Sequence, residues 1–423
     1  MLLLVIVIGA PQERIAALAP LRIALLTAGL AVAAHVYDRF KHRRSIVALP
    51  TELRSVGLLL AWAVATLPLS IWPGGSVAFL LETYLKTLVV FWLLGATADT
   101  PARVLGAARV MTALGIPLAL TAIANFASGV VWDEKSAVER IVGYEGGMSK
   151  NPNDLALVLT LLLPLAVSLA QQGGSRALRL LFLACVPLFA AGVIVTFSRG
   201  GFVTLAAIFA LYLLSFLRRG RWKAALGCLV LAGAILAAFP EGYSSRLSTI
   251  VEMDEDPTGS AQARWTDTVA ALRHVREHPI VGAGIGMNIL ALDALRGETG
   301  KNVHNVYLQY AVELGLPGLG LFLWLYASCL LAVRRVARAG EGRELRSLRL
   351  LAEGILVSLL AFSISSLFHP VAYQFFFYLV AGLAVALGSV GRRLLAPPAP
   401  PRAEAARPGE LWWQSVPGGG AAS

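Results

Sequence analysis

The residue types best suited to chemistry in this chain are one histidine and two arginines. His304 opens an apolar stretch, His304-Asn305, that continues through Tyr307, Gln309 and Glu313 to Gly315-Leu316-Pro317-Gly318. An imidazole at the mouth of a membrane helix titrates near neutral pH and can act as a general base. The same position also suits a histidine that only hydrogen-bonds a loop. Arg199 lies in Phe197-Ser198-Arg199-Gly200-Gly201, where two apolar stretches meet. The glycines permit a tight reversal with exposed N–H groups, and a planar guanidinium beside such amides suits a phosphate or pyrophosphate. The competing reading is an arginine reaching out to lipid headgroups. Arg264 belongs to an amphipathic helix near 261–278, where helical spacing puts Thr268, Ala271 and Val275 on its face. That apolar face aims the guanidinium at protein or ligand, unless Asp267 at i+3 takes it.

Weaker combinations surround these. Lys150-Asn151-Pro152-Asn153-Asp154 joins a breaker to a capping run, and its plain reading is the start of a helix from 153 onward with Asn153 or Asp154 as the cap. Glu82 and Lys86 stand four apart in an apolar stretch; they either neutralise each other, or Lys86 faces a cavity that receives a lipid phosphate. His369-Pro370 places a second histidine at the start of the last span. His274-Val275-Arg276-Glu277-His278 matches the spacing of a zinc motif, but Pro279 ends the helix at once and no third ligand accompanies it, so no metal site is assigned. Gly282-Ala283-Gly284-Ile285-Gly286 lacks the strand and helix that would make it a dinucleotide loop and reads as a tight turn. Cys185, Cys228 and Cys329 sit in apolar stretches as small hydrophobes, neither a disulfide framework nor a zinc set.

The elements that carry these residues are membrane helices. Hydrophobic residues make up 57% of the 423 and charged residues 14%, with a mean hydropathy of +0.70, whereas a soluble chain needs about 25% charged residues to cover its surface. The fold class is all-α integral membrane, with about twelve spans of roughly 20 residues each. The spans lie near 18–37, 53–72, 76–97, 103–127, 152–171, 178–197, 201–217, 223–239, 304–333, 349–368 and 371–391, and a short stretch at 1–10 makes the twelfth. The organisation expected is 1–239 as transmembrane helices, 240–303 as a large, mostly helical external loop, 304–393 as the last three spans, and 394–423 as a disordered tail. Alternation of the spans brings Arg39, Lys41, Arg103, Arg179, Arg219, Arg221, Arg346, Arg349 and Arg392 to one side. That bias marks the cytoplasmic side and puts both termini there. The net charge of +11 therefore records orientation and gives no reason to expect nucleic acid.

Four features in order resemble the O-antigen ligase superfamily, which also holds O-antigen polymerases. They are Asn151-Pro152-Asn153-Asp154-Leu155-Ala156; Ser198-Arg199-Gly200-Gly201; Arg264-Trp265 followed by His278-Pro279-Ile280-Val281-Gly282-Ala283-Gly284; and His304-Asn305 leading to Glu313-Leu314-Gly315. The resemblance covers about 150–320. It implies a metal-independent, cofactor-free glycosyltransferase at the periplasmic face of the bacterial inner membrane. Such an enzyme moves a glycan from undecaprenyl pyrophosphate to an acceptor hydroxyl, a lipid A-core sugar in a ligase and a growing glycan in a polymerase. By the same resemblance, Arg199 and Arg264 hold the pyrophosphate and His304 positions or deprotonates the acceptor hydroxyl. Asn151, Asn153, Asn305, Tyr307, Glu313 and Lys86 are the expected substrate-binding residues. A lipid-linked glycan transporter is the third reading, but it requires polar groups near the midplane, and here they gather at one end.

Overall fold

The computed structural model describes residues 1–43, 50–130, 141, 143–144, 147–149, 151–172, 174–237, 260–296, 302–339 and 343–395. The acidic run Glu252–Asp256, the tail from 396 and most of the first external loop lie outside them. Among the described residues the chain is helical and has no strand. We number the helices α1 (Leu2–Gly9), α2 (Pro11–Arg14), α3 (Ile23–Lys41), α4 (Thr51–Ala65), α5 (Pro73–Thr97, with a π-turn at Leu80–Tyr84), α6 (Pro101–Ala127), α7 (Pro152–Ala170), α8 (Arg176–Val195), α9 (Arg199–Arg218), α10 (Trp222–Ala237), α11 (Ser260–Glu277), α12 (Asn288–Arg296), α13 (Val306–Ala337), α14 (Arg343–Ser365) and α15 (Phe375–Leu395).

Nine of the described helices are long and apolar enough to cross a bilayer, and the chain is a multi-pass membrane protein. Of the remaining expected spans, 53–72 contains the shorter α4, 223–239 the shorter α10, and the opening stretch the eight-residue α1. The helices sort by burial. α7 and α15 are enclosed over most of their length while the span ending at Lys41 buries little besides His35, so α7 and α15 form the middle of the bundle and α3 its rim. An enclosed helix can be apolar all round, as Leu155–Leu163 of α7 and Phe376–Leu387 of α15 are.

Side-chain caps start the helices that matter most. Asn151 accepts from the Asn153 amide, Ser198 from Gly201, and Asn305 from Tyr307 and Leu308. Each satisfies amides that a helix start leaves open. Between α8 and α9 the chain reverses in three residues, with Phe197 in the left-handed region at φ 52°. A bulky residue rarely adopts that conformation.

Contacts divide the helix ends into two sets. At one end Ser198 Oγ donates to Asn153 Oδ1 (2.9 Å), Thr204 pairs with Ser365 (2.7 Å), and the Val306 amide donates to the Ser366 carbonyl (2.8 Å). At the other end Arg221 donates to Gln171 (2.6 Å), Arg219 pairs with Glu353 (2.7 Å) and Arg392 with Glu52 (3.4 Å). The basic residues thus collect at the end opposite His304.

One clamp ties the external segment to the bundle. The strand-like passage Pro279–Met287 threads against a break in α13, where Gly315 leaves helical geometry ahead of Pro317. The Ala283 and Gly284 amides donate to the Val312 and Glu313 carbonyls, and the Leu316 amide to the Pro279 carbonyl, each at 2.8 Å. Gly284 has φ +99°, and a Cβ there would stand 2.1 Å from Ser70 Oγ; one on Gly315, at φ +67°, would stand 2.1 Å from the Ile280 carbonyl. The triple-glycine run is therefore a turn, as its sequence context suggests, and it needs glycine both for conformation and for space.

Candidate functional site

α11 and α12 pack on the start of α13 and build a buried charge network around His304. Asp267 on α11 pairs with Arg296 at the end of α12, and Arg296 also donates to Asp293 at 2.9 Å. The two paired side chains, Arg296 and Asp267, are 2% and 4% exposed. A carboxylate so enclosed needs a partner of opposite charge, and the guanidinium supplies it. Its second oxygen faces His304, with Asp267 Oδ2 3.3 Å from Nδ1. That arrangement puts the imidazole proton on Nδ1 and leaves the Nε2 lone pair as the free acceptor. The His304 side chain remains 37% exposed, open to a substrate.

Electrostatics keep this imidazole neutral. Burial lowers the His304 pKa below its ordinary value and the Arg264 charge lowers it further, against the hydrogen bond and charge of Asp267, which raise it. A neutral histidine with a carboxylate behind it is a general base at neutral pH.

His369, from sequence a weaker site candidate than His304, is held inside the bundle. It lies between α14 and α15, almost wholly buried, with Nδ1 3.0 Å from the Ser365 carbonyl and Nε2 3.2 Å from the Asn153 carbonyl. Burial pushes its pKa down to about 4, with the Arg264 and His304 charges acting the same way. It joins two groups of expected residues: Asn153 and Ser198 on one side, Arg264 and His304 on the other. Gly200, beside Arg199, packs against it, since a Cβ there would lie 3.4 Å from its ring. Asp267 and Arg296 were not singled out from sequence. Asp267 was noted only as a neighbour of Arg264, and Arg296 reaches it from a separate helix, a relation that spacing along one helix does not reveal.

The other expected residues occupy several different settings. Asn151 and Asn305 cap α7 and α13 with their side-chain oxygens. The Tyr307 hydroxyl donates to the Ser363 carbonyl at 3.0 Å, fixing α13 to α14. Glu313 is wholly buried in the clamp, accepting from the Gly286 amide (2.8 Å) and from Asn288 Nδ2 (2.5 Å). Lys86 is exposed, as is Glu82, and no ion pair joins them. The π-turn at Leu80–Tyr84 explains this, because its i→i+5 bonding shifts Lys86 round the axis from its α-helical position. His274 and His278 bring their ring centroids to 4.8 Å, and among the described residues no three His, Cys, Asp or Glu gather as a metal set.

Among curated proteins none matches this chain. Residues 180–323 match the family model described as O-antigen ligase. The stretch runs from within α8 to the middle of α13 and contains Arg199, Arg264, Asp267, Arg296, His304 and Glu313. Over that stretch the chain is similar to the O-antigen ligase superfamily.

Proposed function

We propose that this protein transfers a glycan from undecaprenyl pyrophosphate to a hydroxyl of a lipid A-core sugar, at the periplasmic face of the inner membrane. That similarity supports a glycosyltransferase-like enzyme of the O-antigen ligase and polymerase type. The side assignment is supported by the basic residues of the opposite end, which favour the cytoplasm. The observation that carries the chemistry is the Asp267–His304 pair beside Arg264.

In this reading Asp267 holds the imidazole with Nε2 facing the acceptor. The acceptor oxygen attacks the anomeric carbon as its proton passes to Nε2. The bond from that carbon to the pyrophosphate oxygen breaks, and the electron pair leaves with the pyrophosphate. Arg264 and Arg199 stabilise the departing charge. Pyrophosphate is a good leaving group, so a base and a cationic cradle suffice without a pair of carboxylates at glycosidase spacing.

The test uses the purified protein in lipid with undecaprenyl-pyrophosphate-linked glycan and lipid A-core. Wild type is expected to join them. His304→Ala and Arg264→Ala are expected to insert normally and fail to do so; wild-type transfer by both would sink the assignment. Deletion of the gene decides the acceptor. Unmodified core with accumulated polymeric lipid-linked glycan supports a ligase. A single repeat left on the core, without a ladder, overturns it in favour of a polymerase.

A further inference from the structure

The end of the bundle opposite His304 holds a cleft that glycan transfer does not use. α8, α9, α10 and α14 part there around a space of about 840 Å³, within the range of ligand pockets. Arg179, Arg219, Arg221, Arg346 and Arg349 line it, with Glu353 the one carboxylate among its lining residues. Two of the arginines are tied down. Arg219 pairs with Glu353, and Arg221 donates to Gln171 with its guanidinium 5.1 Å from the Phe216 ring centroid. Arg179, Arg346 and Arg349 have no ion pair among the described residues.

Orientation alone requires basic residues on a face; it does not require them to converge on one crevice, where like charges repel. Convergence is stable when an anion joins them. Another part of the lining, Leu183, Val186, Ile208 and Leu231, is apolar. A free phosphate would answer the arginines and leave that part uncovered. A molecule with a phosphate head and an acyl chain covers both, and Gly227 and Ala224 on α10 line the cleft with no bulk to obstruct it. We infer that this cleft binds an anionic phospholipid. Its head phosphate sits among Arg179, Arg346 and Arg349, and an acyl chain lies along the Leu183–Ile208–Leu231 wall.

The experiment is native mass spectrometry of the full-length protein, delipidated and titrated with phosphatidylglycerol or with phosphatidylcholine of the same chains. Wild type is expected to retain the anionic lipid about tenfold better. The triple variant Arg179→Gln/Arg346→Gln/Arg349→Gln is expected to lose that preference. A control with the same loss of charge on the same end but outside the cleft, Arg103→Gln/Arg334→Gln/Arg393→Gln, is expected to keep it. A Lys-for-Arg version of the cleft triple separates charge from folding and is also expected to keep it. Equal preference in the Gln cleft triple, or equal loss in the control, overturns the site. Displacement of the lipid by inorganic phosphate alone overturns the lipid in favour of a free anion. Cys228 lines the same cleft, so a maleimide should label it more slowly when the anionic lipid is bound; an unchanged rate counts against the site. None of these readouts involves glycan transfer, so failure here leaves the transfer reading standing, and failure of transfer leaves this one.

Discussion

Two carboxylates at the His304 end of the bundle, Glu313 and Asp267, are both almost fully buried and differ in what answers them. Glu313 accepts from the Gly286 amide and from the Asn288 backbone and side chain. Asp267 faces Arg296 and His304. The first set of partners is neutral and cannot move a proton; it fixes the shape of a loop. The second set carries charge and includes a titrating ring, and so can take part in acid–base chemistry. On the proposed function, the same functional group at the same depth serves structure in one place and reactivity in the other, and partner type separates them. The clamp also explains why the reactive pair can stay rigid: the chain from Pro279 to Met287 that joins α11 to α12 is the one Glu313 holds.

The comparison predicts the largest effects in the clamp. Glu313→Ala leaves the Gly286 and Asn288 donors without an acceptor, at about 1–3 kcal/mol each. Gly284→Ala forces a Cβ to within 2.1 Å of Ser70 Oγ in a backbone region that disfavours it. Both variants are expected to fall sharply in membrane accumulation and in thermal stability, read by a fluorescence-detected size-exclusion melt. A Glu313→Ala protein that accumulates and melts like wild type would break the division between the two carboxylates.

Next come changes to the reactive pair, of which His304→Ala should spare folding. His304→Ala removes a general base worth about 10²–10⁴-fold in rate, and transfer is expected to fall by that order with an unchanged melt. Asp267→Asn and Arg264→Gln should then move the pH profile in opposite directions. A base works when deprotonated, so the acid limb of the rate follows the His304 pKa. Asp267 raises that pKa, so Asp267→Asn moves the limb to lower pH, with a loss of about 10–10²-fold in rate as the imidazole loses its orientation. Arg264 lowers it, so Arg264→Gln moves the limb to higher pH in whatever activity remains. Shifts in the same direction would show that His304 is not the titrating group.

Much of this was legible in the residues. Apolar runs of span length announced the membrane helices, and the Asn-Pro-Asn-Asp run announced the start of α7, although the cap is Asn151 where the sequence pointed to Asn153 or Asp154. The sidedness of the arginines follows from antiparallel neighbours, which short connections enforce. Spacing failed where the partner lay on another helix. Asp267 is three residues from Arg264 and looks like its local partner, yet it is Arg296, 29 residues away, that meets it. His369 looked like a plain helix entry until α14 brought it to Asn153, 216 residues away. The π-turn in α5 has no signature in residue type, which is why Glu82 and Lys86 read as a pair.

The smallest expected effect tests how far the reactive region extends. His369 contacts Asn153 and feels the charges of Arg264 and His304, whereas Lys86 is exposed on α5 and has no contact that ties it to His304. A long lysine there reaches water or a headgroup without desolvation, and an exposed charge is worth little. Lys86→Ala is therefore expected to change transfer by less than about twofold, while His369→Ala, which removes the ring between Asn153 and Ser365, should cost more. Steady-state rates at saturating and limiting donor read both. A larger loss of donor affinity in Lys86→Ala than in His369→Ala would mean that the donor reaches α5. The boundary drawn by the buried network would then be too narrow.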